Sequence, residues 1–552
     1  MGFEFVASLQ KRTVKGIDYW CLVESKRING KPRPIIIEYF GNTQRFTERL
    51  MSDRLQNLVL KSYSHGDTYA LLKIAEKLEI ESILDSAFKS RIRDNIKRSK
   101  SLLLIAIQMV CRPGSKNGFE EWFKTTTLPY DMKVSAESLT SQHFWEQMDG
   151  IFETELIKAE DTVTKRILEL YDFSLEKIAL DYTNYFSYIS SSNERCTIAK
   201  RGHNKQKRND LRQYSMALIT TKEMGLPLCS HIYEGNINDQ AEFFEYIDLL
   251  KDRIPNYDPN AITLVFDGGS NNKKNFEKIE THYICSFSLS SCKTLYDIDI
   301  SNYSEITVNG KTVKTYRCTQ EIWGKERVCI LTFSRSLYAG QLKETNSNIA
   351  TTSSELKKLS EQLYNEKSRI SKKEKDIQER IKKITSQQYM DEIFEIRMTV
   401  DEGIVKNIEY LVNESRKHEI VRKYFGKKLI LTDRSDWDTD EIVSIYREQD
   451  CIERIFKASK DNDHFSIRPQ YHFTDQKIRV HIFCCLLGLT LASILQKEVA
   501  NYGIKISKNQ LLDKLSGIRR CWIKKNDSNK AVCVLEEMDD FQVELWDAIQ
   551  SI

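Results

Sequence analysis

Three acidic residues occupy segments where their carboxylates could hold divalent metal for phosphoryl transfer. Asp181 lies inside a predicted strand, Asp267 ends a second strand before two glycines, and Glu453 lies on a predicted helix. Three converging carboxylates would repel one another, and Mg²⁺ or Mn²⁺ would neutralise them. Two such ions, roughly 3.5–4 Å apart, can clamp the attacking and leaving oxygens of a phosphoryl displacement. We therefore expect Asp181, Asp267 and Glu453 to be catalytic residues and metal ligands.

Each acid also has a simpler interpretation. Asp267 before two glycines is typical of a turn, and Glu453 alone is typical of a helix-boundary residue paired with a neighbouring cation. Asp181 is harder to explain in this way, because a lone carboxylate in an apolar strand is costly to bury unless it binds something. The occurrence of all three, in this order and on these element types, favours the catalytic interpretation.

The helix that carries Glu453 is predicted as one element over 446–460, because no Gly or Pro interrupts it. Asp438 and Glu441 have the spacing of a capping box before it. At about 3.6 residues per turn, four side chains share one stripe beside the apolar face, namely Tyr446, Gln449, Glu453 and Lys460. We expect Tyr446, Gln449 and Lys460 to contact a DNA phosphate beside the metal.

A run of positive charge lies between the first two acids and leads into a predicted strand beside Asp181. It consists of Lys200, Arg201, Lys205, Lys207, Arg208 and Arg212. A charge run is usually a solvated surface, but one that enters the core beside a metal site favours contact with nucleic-acid phosphates. We expect these six residues to bind DNA.

The pattern around the acids predicts a mixed α/β fold. Three alternating strands, a helix, a short buried strand, a helix and another strand match the order of an RNase H-like core. The predicted segments are an N-terminal β-rich segment with an Asn29-Gly30 hairpin turn (1–60), a helical region (61–172), the first core part (173–290), an insertion of β-hairpins and one long helix at 352–386 (291–430), the second core part (431–500) and a helical tail (501–552).

Composition limits the setting in which the chain works. The chain has 552 residues, a formal net charge of +4 and thirteen cysteines without a C-x-x-C pair, which fits a reducing compartment. The apolar stretch 482–495 is too short to cross a bilayer and predicts a buried helix. We expect a cytoplasmic, nucleoid-associated protein with no membrane partner.

The spacing Tyr446-x₂-Gln449-x₃-Glu453-x₆-Lys460 resembles the signature of one large group of DDE insertion-sequence transposases. The continuation from Phe465 to Leu495, with Arg468-Pro469 and His472, is similar to the same group. The resemblance implies that the helical region 61–172 binds element ends and dimerises. It also implies double-stranded DNA partners, both terminal inverted repeats and target DNA, and a homodimer as the active form.

The chain departs from the group at Gln449, where the family usually has Arg. We expect Lys460 and nearby basic residues to suffice, so that Gln449→Arg changes cleavage little. Two other functions stay open: a metal-dependent nuclease of the same fold that only cuts, and a non-catalytic, DNA-binding domesticated transposase. Strand joining separates the first alternative from a transposase, and intact acids speak against the second.

Overall fold

The computed structural model describes residues 7–28, 31–51, 58–202, 208, 210–288, 292–365, 368–460, 464–468, 470–525 and 531–552. The chain forms two compact units. The first unit is built from Met1–Ile262 and Gln449–Ile552, and the second from Thr263–Glu448. The division after Ile262 falls within the segment 173–290 that was predicted as the first part of the core.

The chain begins in the first unit with an antiparallel sheet, as predicted for its N-terminal β-rich segment. Its strands and the elements after them are β1 (Ala7–Val14), β2 (Ile17–Ile28), β3 (Lys31–Asn42), α1 (Thr43–Met51) and β4 (Leu58–Ser64). Strands β2 and β3 pair with Ile28 opposite Lys31. The predicted Asn29-Gly30 turn lies outside the described residues.

Helices then dominate, as predicted for 61–172. They and a short hairpin are α2 (Gly66–Lys77), α3 (Ile80–Ala87), β5 (Ile92–Arg93), β6 (Ile96–Lys97), α4 (Arg98–Cys111), α5 (Phe119–Lys124), α6 (Leu128–Asp131), α7 (Ser141–Gln147) and α8 (Glu153–Leu170). Helix α4 is buried along nearly its whole length and forms part of the core of the first unit.

The three strands predicted around Asp181 are confirmed as β7 (Lys177–Ser187), β8 (Arg212–Thr221) and β9 (Pro227–Glu234). They form antiparallel pairs, with Asp181 opposite Leu218. Helix α9 (Asp239–Arg253) follows, and the Asn238 side chain accepts a hydrogen bond from the Gln240 backbone N–H at its start. This part of the first unit therefore has the predicted order of three strands and a helix.

The second unit contains a six-stranded mixed sheet. Its elements are β10 (Thr263–Phe266), α10 (Lys273–Lys278), β11 (His282–Phe287), β12 (Ser304–Val308), β13 (Lys311–Ile322), β14 (Lys325–Phe333), α11 (Arg335–Tyr364), α12 (Glu374–Ile384), α13 (Met390–Ile393), β15 (Phe394–Asp401), β16 (Ile404–Val412), α14 (Glu414–Tyr424), β17 (Lys427–Thr432) and α15 (Thr439–Arg447). The order is β12-β13-β14-β17-β11-β10, with only β10 and β11 parallel. Strands β15 and β16 form a separate hairpin.

The prediction of one long helix over 352–386 is wrong. Helix α11 begins earlier, at Arg335, and ends at Tyr364, where Asn365 takes extended backbone. Asn and Ser side chains compete with helical hydrogen bonds by bonding to nearby backbone, which favours a break in this Asn- and Ser-containing stretch. The apolar stripe on these helices packs within the second unit through Leu356, Leu359, Leu363 and Ile377.

The chain then returns to the first unit. Its last elements are α16 (Asp450–Ala458), α17 (Asp475–Asn501), α18 (Lys508–Ser516), β18 (Arg519–Lys525), β19 (Ala531–Leu535) and α19 (Asp540–Gln550). Strand β18 lies between β19 and β4. The prediction of a helical tail is therefore wrong for 519–525 and 531–535, which form strands because β18 pairs with both β4 and β19.

Helix α17 passes the length and composition test for a membrane span, and 94% of its apolar window is buried inside the protein. The helix is longer than the apolar stretch from which it was predicted, but its predicted burial is confirmed. A Cβ on Gly488 would lie 2.6 Å from the Ala106 carbonyl oxygen of α4. Gly488 therefore allows the backbones of α4 and α17 to approach closely.

Candidate functional site

The predicted continuous helix over 446–460 is wrong, because Glu448 and Gln449 form a turn between α15 and α16. Tyr446 therefore belongs to α15 in the second unit. Gln449 occupies the N-cap position of α16 and is 6% exposed. It is the first residue of Gln449–Ile552, the second chain segment of the first unit. Asp438 occupies the N-cap position of α15 but makes no side-chain capping bond, so the predicted capping box is absent. The four residues therefore do not share one helical stripe. Tyr446 belongs to α15, Glu453 belongs to α16, and Lys460 follows the end of α16 at Ala458.

Asp181 lies on the face of β7 against which the end of α16 packs. Alternate residues of a strand share a face, which places Asp181 with Thr183 and Tyr185. Lys460 Nζ donates to Thr183 Oγ1 at 2.5 Å, and the Tyr185 hydroxyl lies 2.6 Å from the Ser459 Oγ. These two bonds fix the end of α16 to β7 on the side of Asp181.

Glu453 is exposed on α16, while Ile452, Ile455 and Phe456 bury the opposite side of the helix. The amphipathic pattern predicted from the sequence is therefore confirmed for α16. The Glu453 carboxylate is accessible to solvent, and Glu453 belongs to the same unit as Asp181 and Lys460.

Asp267 follows β10 directly in the second unit, and its carboxylate is exposed. It accepts a hydrogen bond of 2.5 Å from Ser286 Oγ, which itself accepts the Gly268 backbone N–H at 2.8 Å. A Cβ on Gly268 would lie 3.0 Å from that hydroxyl, so the glycine permits the close approach. Asn271 donates to the Ser286 carbonyl at 2.7 Å and closes the turn. The geometry holds the Asp267 carboxylate at the carboxyl end of its strand.

Tyr446 lies near Asp267, Ser286 and Lys428 in the second unit. The tyrosine is 7% exposed, and Lys428 Nζ lies 4.6 Å from the centre of its ring. Burial raises the pKa of Tyr446, and the Asp267 charge raises it further, while Lys428 and Ser286 lower it. The phenol therefore remains protonated at neutral pH and can act as a hydrogen-bond donor.

The basic segment divides into residues with different surroundings, and Lys205 and Lys207 lie outside the described residues. Arg208 makes two bonds of 2.9 Å to Asp210, and this partner raises the pKa of the exposed guanidinium. Arg201 donates to Ser191 Oγ at 3.2 Å. Lys200 exchanges backbone hydrogen bonds with the start of β8. Of these, Arg201 and Arg208 present guanidinium groups at the surface or close to it.

Arg212 has a structural role that the sequence did not reveal. Its guanidinium donates to the carbonyls of Ala199 at 2.5 Å, Ser190 at 2.9 Å and Asn193 at 3.0 Å, and also to that of Cys196. The side chain therefore holds the loop between β7 and β8 in place with its own donors. A phosphate would have to replace these carbonyls to reach it.

A cavity of about 720 Å³ in the first unit brings Lys460, a predicted site residue, together with residues that sequence reasoning did not assign to a site. Lys460 and Arg468 line it together with Phe186 and Gln470. The Arg468 guanidinium lies 4.0 Å from the centre of the Phe186 ring. The segment Arg468–Phe473 combines one arginine with three consecutive rings, Tyr471, His472 and Phe473, a composition found in nucleic-acid-binding segments, and this was the available signal.

Within the described ranges, no group of three or more His, Cys, Asp or Glu side chains is arranged to hold a metal ion. Asp181 and Glu453 lie in the first unit and Asp267 lies in the second. Each unit thus carries part of the acidic set that the sequence predicts.

No family model matches the chain, and no curated protein matches it. Among solved structures, the chain is similar to piggyBac transposase, determined by cryo-EM as a synaptic complex with hairpin DNA. The two share 9% identity at a TM-score of 0.40, over 81% of this chain and 79% of that chain. A likeness this distant says nothing about individual site residues.

Proposed function

We propose that this chain is a DDE transposase with an RNase H-like core that binds the ends of its own insertion element. The observation that carries the proposal is the placement of three acids, with Asp181 within β7, Asp267 directly after β10 and Glu453 on α16. Sites in open α/β sheets form at the carboxyl ends of strands, which is where Asp267 lies. The order from β7 to β11, with three strands, a helix, a strand, a helix and a strand, supports the RNase H-like assignment.

The donor set suits Mg²⁺ or Mn²⁺, because carboxylate oxygens are the ligands these hard cations prefer. Asp267 and Glu453 are exposed and Asp181 is half-buried, so hydrated ions can reach all three. We propose that the three acids serve together as metal ligands. When bound, two ions would polarise the scissile phosphate and offset the charge that develops on it.

The remaining residues would position DNA. The protonated Tyr446 hydroxyl can donate to a phosphate oxygen, and Lys460, fixed by Thr183, offers a positive charge on the side of β7 that carries Asp181. Lys200, Arg201 and Arg208 would add contacts to the DNA backbone. Water is the first nucleophile at the element end, and the freed 3′-hydroxyl then attacks target DNA.

The partners in this proposal are the two terminal inverted repeats and a target duplex, and a homodimer would bring the two ends together. The reaction would take place in the cytoplasm at the nucleoid. Strand transfer into a second duplex distinguishes this function from that of a nuclease that only cuts.

The test uses the full chain, Mg²⁺ and a duplex that carries the inverted repeats flanking its gene. Asp181→Asn, Asp267→Asn and Glu453→Gln should each abolish cleavage and strand transfer, because each removes one metal ligand. End binding without metal should change by less than about threefold, since little surface is lost. Asp252→Asn and Glu544→Gln, which alter exposed carboxylates on α9 and α19, are matched controls and should leave both activities unchanged.

Cleavage at the wild-type rate by any one of the three variants would remove that residue from the site. Cleavage without joining would show a nuclease. Binding without cleavage by the wild-type chain in either Mg²⁺ or Mn²⁺ would show a non-catalytic DNA-binding protein.

A further inference from the structure

Two cysteines face each other across the hairpin of β13 and β14 in the second unit. Cys318 is directly opposite Cys329, and among the strand pairings that the structure describes this is the one place where two cysteines are opposite. Opposite residues of antiparallel strands share a face of the sheet and have Cα atoms about 4.5–5.5 Å apart. A disulfide spans a Cα separation of about 4.4–6.8 Å, so the native register already has a backbone spacing that a disulfide can bridge.

The two thiols contact each other but have different surroundings. Cys318 is partly exposed, whereas Cys329 is fully buried. A hydrogen bond that the Cys329 thiol donates lowers the pKa of Cys318. The same hydrogen bond and burial raise the pKa of Cys329. Because the thiolate is the nucleophile, Cys318 is the member of the pair that reacts with an oxidant from solvent.

Two further cysteines lie near this pair, but neither faces Cys318 across a strand pairing. Cys285 lies in the same row of the sheet, where Leu431 of β17 separates it from Cys329. Cys292 lies in the loop after β11, and burial and the charge of a Cys318 thiolate raise its pKa. The backbone therefore fixes Cys329 as the thiol directly opposite Cys318.

We propose that Cys318 and Cys329 form a reversible intramolecular disulfide when a hydroperoxide oxidises the chain. With hydrogen peroxide, the Cys318 thiolate attacks one oxygen, so that an S–O bond forms and the O–O bond breaks. The departing hydroxide takes the proton that Cys318 released and leaves as water, and Cys318 becomes a sulfenic acid.

The second step closes the disulfide. The Cys329 sulfur attacks the Cys318 sulfur, an S–S bond forms, the S–O bond breaks, and hydroxide leaves as water with the Cys329 proton. The two thiols have then given two electrons to one peroxide, which becomes two waters. A dithiol reductant reverses the reaction by thiol–disulfide exchange.

This proposal does not depend on the proposed function, because neither thiol belongs to the acidic set or to the DNA contacts. A reversible disulfide also suits the reducing compartment that the cysteine content predicts. In such compartments disulfides are usually transient, catalytic or redox-sensing.

The test maps disulfides in the reduced full chain after treatment with hydrogen peroxide at pH 7. N-ethylmaleimide then blocks free thiols, and trypsin separates the three relevant peptides, 318–325, 328–335 and 279–293, the last of which holds both Cys285 and Cys292. Mass spectrometry should find 318–325 joined to 328–335 at least about tenfold more often than to 279–293, because only the first pair is opposite in the sheet. Dithiothreitol should release the joined peptides.

The same treatment in urea shows what the fold contributes. Loop length alone should favour the Cys318–Cys329 bond by only about two- to fourfold, because 11 residues rather than 26 or 33 separate the two thiols. A preference in buffer that is no greater than the preference in urea would overturn the proposal.

Three substitutions test the roles of the two thiols. Cys329→Ala should leave Cys318 as a sulfenic acid that dimedone traps, whereas Cys318→Ser should leave Cys329 unmodified. Cys533→Ser, at a partly exposed cysteine on β19, is the matched control and should leave the joined peptides unchanged. The mapping of the wild-type chain needs no variant and stands even if Cys329→Ala folds poorly.

Peptide 318–325 joined mainly to 279–293 would overturn the assignment of Cys329 as the partner. Joined peptides in a chain that migrates as a dimer without reductant would overturn the intramolecular bond. Dimedone labelling of Cys329 in Cys318→Ser, at the level expected for Cys318, would overturn the assignment of Cys318 as the thiol that reacts with peroxide.

Discussion

Replacing Lys460 by methionine tests how the first unit arranges its part of the site. The change keeps most of the side-chain length and removes the charge that Thr183 Oγ1 holds at 2.5 Å. A hydrogen bond between a charged donor and a phosphate contributes about 1.5–3 kcal/mol. Because Lys460 is half-buried, we expect element-end cleavage to fall by about 10- to 150-fold. Folding stability should fall by about 1–2 kcal/mol, since the hydrogen bond to Thr183 and the contact with the Tyr185 ring are lost.

Thr183→Val separates the charge of Lys460 from its position. Valine has the shape of threonine and suits a strand, but it removes the acceptor that fixes Lys460. We expect a several-fold loss of cleavage in the otherwise wild-type chain and almost none in the Lys460→Met background. The difference would be a coupling of roughly 0.5–1.5 kcal/mol in a double-mutant cycle.

The assay is single-turnover cleavage of end-labelled duplex in Mg²⁺, with urea unfolding measured in parallel. Lys457→Met is the matched control, because this lysine is exposed in the last turn of α16, three residues before Lys460. If Lys457→Met and Lys460→Met lost cleavage equally, only the charge of the helix would matter. If Thr183→Val cleaved at the wild-type rate, the positioning role of Thr183 would be refuted.

Three further predictions concern stability. Gly488→Ala should lower the free energy of unfolding by about 1–2 kcal/mol, because overpacking against Ala106 outweighs the better helix propensity. Gly340→Ala, in open space on α11, should raise it by up to about 1 kcal/mol. Urea unfolding measures both changes, and a gain in Gly488→Ala would contradict the close packing. Arg212→Met should lower the free energy of unfolding by about 1–3 kcal/mol, because it leaves loop carbonyls without donors. Arg208→Met should change the free energy of unfolding little, but should make the salt dependence of DNA binding shallower by up to about one unit of slope. Burial lowers the pKa of His65, His231 and His481 to about 3 or 4, so the unfolded chain binds more protons than the folded chain below pH 6.5. The free energy of unfolding, measured with urea, should therefore fall from pH 7 to pH 5 by up to about 2 kcal/mol per histidine. A flat profile would contradict the neutral state of these histidines in the folded protein.

The strands around Asp181 could be predicted because their information is local. Alternation in β7, the Asn238 cap of α9 and the apolar run of α17 each lie within one element. Strand β18 could not be predicted with the same ease, because its partner β4 lies at the other end of the described chain. Local sequence alone predicts a helical tail here, because the pairing with β4 is a long-range interaction.

The candidate site shows the same limit. The turn at Glu448 and Gln449 contains neither Gly nor Pro, so no local signal marks the end of α15. An Arg at position 449 would bring a charge into a site that is only 6% exposed. We therefore expect Gln449→Arg to lower the free energy of unfolding, in addition to its small expected effect on cleavage. The sequence predicts Arg212 only as part of the basic segment. Backbone carbonyls accept its hydrogen bonds, and because every residue has one, the sequence does not indicate which carbonyls it contacts.

The pairing of β18 with β4 has a consequence for protein synthesis. Ser64 of β4 is opposite Arg519 of β18, which is synthesised about 450 residues later. At 5–20 residues per second, β4 therefore lacks this partner for roughly 20–90 s during synthesis. The second unit, Thr263–Glu448, is contiguous and leaves the ribosome complete before that partner exists. Folding of the inserted unit can therefore finish while its host still has an open strand edge, which is a target for aggregation and for chaperones.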